Sequence, residues 1–329
     1  MTLWRGTGRV ENSGDSQRFA LYEGEYMESE VVELGGTGVV LRQNDYNSGD
    51  EGLLKYRHGA TPQDCITSDW TIYIGPFVSL GYVQIRLEST LGFSPEDLSP
   101  VLWLDASSAD NFSLTGSDVD VWYDISGYNH HAYPLDANKP TYNESGFVYI
   151  GPAGYNKRLR VQNLENPASF DVGISVFVVY KRVGTWVSYP ALLCKGNINS
   201  QWQFQRINTT DKMYWANGSV QAISTTSLGT SVFRLIEGLA SSANEFRQWF
   251  SGNAEGVSAP ASDAGSSTDL YIGGSNSTNN GIVGNISEII VINSELSQTN
   301  REKMEGYLCH KWGIEGQLPA IHTYKSSPP

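Results

Sequence analysis

The most apolar strand of the chain is written by Ile286, Ile289, Ile290, Val291 and Ile292, which fill both faces of a period-2 segment, so two layers must cover it. Asn293 and Ser294 interrupt the run. A start signal at Ser297, or at Thr299 with Glu302 three residues on, then opens a helix. Met304, Tyr307, Leu308 and Trp312 fall on one helical face, and Gly313 suits a left-handed cap. Gly306, which costs about 1 kcal/mol relative to Ala inside a helix, predicts a close approach of helix and sheet. Ile290, Ile292, Tyr307, Leu308 and Trp312 are therefore expected to pack together, the helix serving packing rather than chemistry.

Everything before this pair reads as strands. In residues 1–92, strand-length apolar segments at 19–22, 30–34, 39–41, 53–56, 70–74 and 82–87 are separated by Gly35-Gly36, Asn47-Ser48-Gly49-Asp50 and Gly75-Pro76, a small β-sandwich or barrel. Residues 90–100 carry two prolines and a one-turn helix start at Ser94, and read as a linker. From 93 to 329, strands are expected at 101–104, 119–123, 148–150, 175–182, 191–194, 201–207, 212–215, 233–238, 245–250, 269–272 and 286–292. That pattern suits two packed antiparallel sheets, a jelly roll closed by one C-terminal amphipathic helix. The fold class is all-β, in two domains, 1–92 and 93–329.

Charge narrows the partners. The net charge of −13, the pI near 4.8 and the lack of any basic run longer than two residues argue against nucleic acid and against an anionic membrane. No stretch approaches 18 apolar residues, and the first 15 residues have no apolar core, so neither membrane insertion nor a signal peptide is expected. Cys65, Cys194 and Cys309 follow no metal or disulfide spacing and are read as idle thiols.

Two signatures resemble a known family. Pro100-Val-Leu-Trp-Leu-Asp-Ala-Ser107, followed by Trp122-x-Asp-x-Ser-Gly-x-x-His-His-Ala132, is similar to the opening of concanavalin A-like, laminin-G-type jelly rolls carried by bacteriophage virion proteins. The segment EIIVIN at 288–293, with the helix EGYLCHKWGI that follows and the closing LPAIHTYKSSPP, is similar to their end. The resemblance implies a non-enzymatic virion structural protein, a capsid decoration, fibre or tail part. Residues 1–92 would dock on other virion proteins, and the jelly roll would project outward, where such folds bind host-surface glycans. A homo-oligomer of three copies is expected, made in the host cytoplasm. A cellular carbohydrate-binding or adhesion protein is the alternative reading.

The search for catalytic residues yields none. No Glu-x-Asp-x-x-Glu strand supplies glycanase carboxylates, and Gly14-Asp15-Ser16 lacks the strand and the Asp-x-x-His of an esterase. His130 and His131, adjacent on an extended chain, point to opposite faces and do not suit one zinc ion. The metal reading that the residues admit is a structural calcium on Asp118, Asp120 and Asp124, which share strand parity next to a Gly/Asn-rich turn. The competing reading has Asp124 cap that turn through the amides of Ser126 or Gly127. Glycan contacts are expected from rim loops carrying aromatics and amides: Trp186 and Tyr189, Asn197 and Asn199, and Asn276 and Asn279. No other cofactor is expected, and Trp202, Trp215 and Trp249 read as core.

Overall fold

The structure is a computed structural model. It describes residues 93–329 except 136, 152–156, 165–172, 185–189, 197–201, 208–209, 218–219, 242–244, 259–268 and 277–280, and within 1–92 the backbone of the strands alone. The chain divides into two compact units, Met1–Phe93 and Ser94–Pro329. In the first, Tyr82–Ser89 is the central strand of a six-stranded antiparallel sheet, between Gly52–Gly59 and Tyr26–Ser29, and a separate hairpin joins Arg9–Ser13 to Ser16–Ala20. The expected strand at 39–41 lies outside the described residues. A 3-10 turn, Pro95–Leu98, opens the second unit, with the Ser94 and Asp97 side chains each accepting the other's backbone N–H in a capping box.

The second unit is a 17-stranded antiparallel sheet folded back on itself, the all-β architecture the pattern predicts. Its centre is Gly284–Ile292, buried along its whole length, which pairs with Leu102–Asp105, Phe147–Ile150 and Ile174–Arg182. From Ile174–Arg182 the ladder continues through Phe233–Ala240 and Phe246–Phe250 to Asn253–Val257. A facing run links Ala132–Pro134, Leu159–Val161, Leu270–Ile272, Ala191–Lys195, Trp202–Arg206, Met213–Asn217 and Val220–Ile223. Trp202, Phe204, Trp215 and Phe246 meet between the two runs with ring centroids 4.5–5.5 Å apart. Gly238 is small because a Cβ there would lie 2.6 Å from the Phe204 ring.

Ile286 and Ile289 both face this core although their parity differs, because the pairing with Ile174–Arg182 shifts register between Val179 and Tyr180 and skips Ser287. Glu288, on the other face, meets the helix.

The helix runs Gln298–Lys311. Ser297 caps it, its Oγ accepting from Asn300 N at 3.3 Å. It ends in a Schellman turn with Gly313 at φ 63°, where Ile314 N donates to Cys309 O and Gly313 N to His310 O. Its buried face differs from the expected stripe: Met304, Glu305, Gly306, Leu308 and Cys309 are buried, whereas Tyr307 and Trp312 are half-buried. A carboxylate in the middle of that face removes the simple amphipathic pattern. Gly306 also has another partner than the sheet, since a Cβ there would lie 2.5 Å from Tyr324 Cβ and 3.1 Å from Pro329 Cδ, so the C-terminal tail crosses the helix at this point.

Of the tryptophans read as core, Trp202 and Trp215 are fully buried. Trp249 is half-buried on the outer face, with the Arg301 guanidinium 4.4 Å from its ring centre. Cys194 and Cys309 are buried free thiols, and burial pushes both upward, Cys194 to about 12. Cys65 lies outside the described residues.

Candidate functional site

The second signature builds a turn around one aspartate. Trp122, wholly buried, donates from Nε1 to the Asp105 carbonyl at 3.2 Å. Asp124 is buried, and both of its carboxylate oxygens are filled. Oδ1 accepts from the backbone N–H of Trp103 (2.9 Å) and Ser126 (3.0 Å), and Oδ2 from the Ser126 hydroxyl (2.8 Å) and the His130 N–H (2.9 Å). Four donors on two oxygens pin the loop 124–131 to the Leu102–Asp105 strand. Gly127 at φ 90° and Asn129 at φ 61° supply the left-handed residues this path needs.

The carboxylates expected to hold calcium do not gather. The pairing of Phe112–Thr115 with Asp118–Trp122 skips Asp120, and this bulge reverses the alternation: Asp118 stays exposed, whereas Trp122 and Asp124 turn inward. Asp120 is bound by Lys139 and by Thr115 Oγ1, and the Lys139 bond, the largest influence, holds its carboxyl below the usual range. With Asp124 saturated by N–H and O–H donors, this donor set fits turn capping and does not fit an oxygen shell for calcium. Among the described residues, no three His, Cys, Asp or Glu side chains are grouped to hold a metal.

The pinned loop carries a run of rings. Tyr128 and Tyr133 are 56% and 43% exposed. Tyr128 lies parallel to His130, with centroids 5.9 Å apart and planes at 6°; His131 stands between Tyr123 (5.2 Å) and Tyr133 (6.5 Å). Asn129, His130, His131, Tyr133, Gln162 and Asn163 line a hollow of about 430 Å³. His130 also borders a second hollow, of about 500 Å³, whose apolar lining is Leu98, Val101 and Ile292.

Backbone groups set the two imidazoles differently. His130 Nδ1 lies 2.8 Å from the Val101 carbonyl, which can only accept, so Nδ1 carries the proton and Nε2 of the neutral ring is an acceptor. His131 Nδ1 accepts the Asp124 backbone N–H at 3.0 Å, so its proton sits on Nε2 and that atom is a donor. No hydrogen bond from the described residues reaches either Nε2. The opposed settings also rule out the pair as joint ligands of one ion, because a protonated Nε2 has no lone pair to give.

No residue lining the polar hollow carries a carboxylate or an ammonium group. Ionisable clusters lie instead beneath the helix. Glu288 accepts from Trp103 Nε1 (2.7 Å) and Trp312 Nε1 (2.6 Å) and meets Lys311 Nζ at 2.9 Å; Lys311 also reaches Asp105 at 2.8 Å. Burial pushes the Glu288 carboxyl up to about 7 against the pull of Lys311, while Lys311, despite its own burial, is raised by Glu288 above the usual lysine range. Glu237 and Glu305 form the other cluster. Burial first, then the neighbouring Glu305, raise Glu237 well above the ordinary range. Its Oε2 is buried without a hydrogen-bond partner among the described residues. Arg301 and His322 complete the bonding of Glu305. Both glutamates are sealed from solvent.

Of the rim residues expected to contact glycan, Trp186, Tyr189, Asn197, Asn199 and Asn279 lie outside the described residues. Asn276 is exposed, beside Tyr271, and does not line the hollow. Of the residues that do line it, Asn129, His130, His131 and Tyr133 stand inside or next to the Trp122–Ala132 signature, and Gln162 and Asn163 follow the Leu159–Val161 strand. The unnoticed signal was Tyr133, a large ring two residues after the histidine pair.

No family model and no curated protein sequence matches the chain. Among solved structures, the binding domain of botulinum neurotoxin serotype D is similar at 14% identity and a TM-score of 0.47, over 64% of this chain and 52% of that one. A structure of botulinum neurotoxin type C, whose cell entry depends on interaction with two ganglioside molecules, gives 14% and 0.49, over 65% and 53%. A Trypanosoma rangeli sialidase gives 10% and 0.44, over 60% and 30%. The chain spans about half the length of the toxin domains and less than a third of the sialidase. None of the three lends a role to a residue of this chain.

Proposed function

We propose that the second unit is a non-catalytic recognition module that takes a saccharide in the hollow between His131, Tyr133 and Asn163, and that the chain presents it on a bacteriophage particle. The observation that carries the saccharide reading is the lining itself: the exposed Tyr133 ring for a sugar face, amides and imidazoles for hydroxyls, and no carboxylate or ammonium, with the exposed Tyr128 ring stacked on His130 at its border. Glycosidic cleavage needs a pair of carboxyl groups beside the bond. The polar hollow has none, which supports binding without turnover. The virion setting is supported by the signatures at 100–132 and 288–313, with the first unit as the docking part and three copies as the assembly.

Glycan-array binding of the full chain tests the site. Because both rings are exposed, Tyr128→Ala with Tyr133→Ala should abolish saccharide binding and leave the melting temperature within about 1 °C. Binding that survives the double substitution would place the site elsewhere. For the setting, the full chain should sediment as a trimer and co-sediment with phage particles, and the same double variant should keep both properties. A monomer that ignores particles would favour the cellular adhesion reading.

A further inference from the structure

Resting on the saccharide reading of the hollow, we infer that it selects an N-acetylated sugar by its acetamido group. His130 and His131 are adjacent, line the same hollow and are set by backbone partners to opposite polarity, acceptor at Nε2 of one and donor at Nε2 of the other. A sugar hydroxyl is donor and acceptor at once and gains little from such a setting. A secondary amide is different: its N–H can only donate and its carbonyl can only accept, and neither role can be exchanged by rotation. The fixed pair therefore matches an amide, the N–H going to His130 and the carbonyl to His131.

The second hollow gives the match a direction. It adjoins the first through His130 and offers Leu98, Val101 and Ile292, a place for the acetyl methyl beside the imidazole that takes the amide N–H. Tyr133, exposed on the far side of the histidines, is left for the sugar face. Asp124 acts as a positioning residue: it holds the His130 N–H and, through its own N–H, sets the His131 ring.

Two measurements on the full chain test this. Nitrogen-15 NMR of the imidazoles should show the proton on Nδ1 of His130 and on Nε2 of His131, and both Nε2 signals should move on addition of chitotriose. In calorimetry, chitotriose and N-acetylgalactosamine should bind about tenfold more tightly than cellotriose and galactose, the worth of one well-made hydrogen bond. His130→Phe, which keeps a ring against Tyr128, should remove that preference. Equal affinity for acetylated and plain sugars, or identical tautomers on the two rings, would overturn the acetamido inference and leave the saccharide reading standing. Binding of neither class would overturn both.

Discussion

Replacing Lys311 by Met keeps the length and most of the volume of the side chain and deletes only its charge. In the parent, that ammonium lies 2.8 Å from Asp105 and 2.9 Å from Glu288, a carboxylate with no solvent exposure. Removing one partner of a buried pair costs about 3–5 kcal/mol, because the remaining charge is left uncompensated. The size should depend on pH. Glu288 titrates near 7 in the fold against an ordinary 4.5, raised by burial, so its contribution is fully present below 4.5 and is lost as pH rises through 7. Without Lys311 the folded value climbs further, so the loss continues at higher pH in the variant than in the parent. Urea unfolding followed by tryptophan fluorescence should give about 4 kcal/mol of destabilisation at pH 8 and about half of that at pH 5.5, where Glu288 can hold a proton. Adding Glu288→Gln should recover part of the loss at pH 8 and little at pH 5.5. A difference below about 1 kcal/mol at pH 8, or one equal at both pH values, would refute the account of this cluster.

Glu237→Gln removes a buried carboxyl whose titration is raised, first by burial, so the variant should gain on the parent in stability as pH rises above the ordinary carboxylate range and converge with it near pH 4.5; parallel curves would refute the upward shift of Glu237. Gly306→Ala should lose about 1–3 kcal/mol by crowding Tyr324 and Pro329, against the propensity gain of about 1 kcal/mol, and should speed amide exchange in 319–329; a raised melting temperature would contradict the tail crossing. Asp124→Asn orphans two of four donors, so about 2–3 kcal/mol and the saccharide binding should go together, and the parent should melt at one temperature with calcium or with chelator.

Long periodic strands were legible because each carries its own pattern: all eleven expected strands of the second unit are present. Six short ones were not. Segments such as Leu159–Val161 and Asn253–Val257 have too few apolar positions to show a period and exist because a neighbour offers an edge. The ends of the helix were legible at Ser297 and Gly313, since capping chemistry is local. Its buried face was not, because Glu305 is held by Glu237 and His322, far away along the chain. The same limit hid the groove. The histidine pair stands in plain view at 130–131, but its polarity depends on the Val101 carbonyl and the Asp124 amide, and the parity of Asp124 depends on a bulge at Asp120 that no residue type announces.

The pairing of Leu102–Asp105 with Gly284–Ile292 carries a consequence for biosynthesis. The first strand of this unit to leave the ribosome waits for the last: 185 residues separate Trp103 from Glu288, whose carboxylate accepts a hydrogen bond from the Trp103 indole N–H. At ordinary translation speeds that interval is roughly 10–40 s, during which an apolar ribbon ending in an acidic group has the bridge to Asp124 on one side and no Gly284–Ile292 edge on the other. Nascent chains halted before Gly284 should therefore be captured by a holdase chaperone and fall to proteases. Release of residues 284–329 should bring the first and last strands of this sheet together in one step.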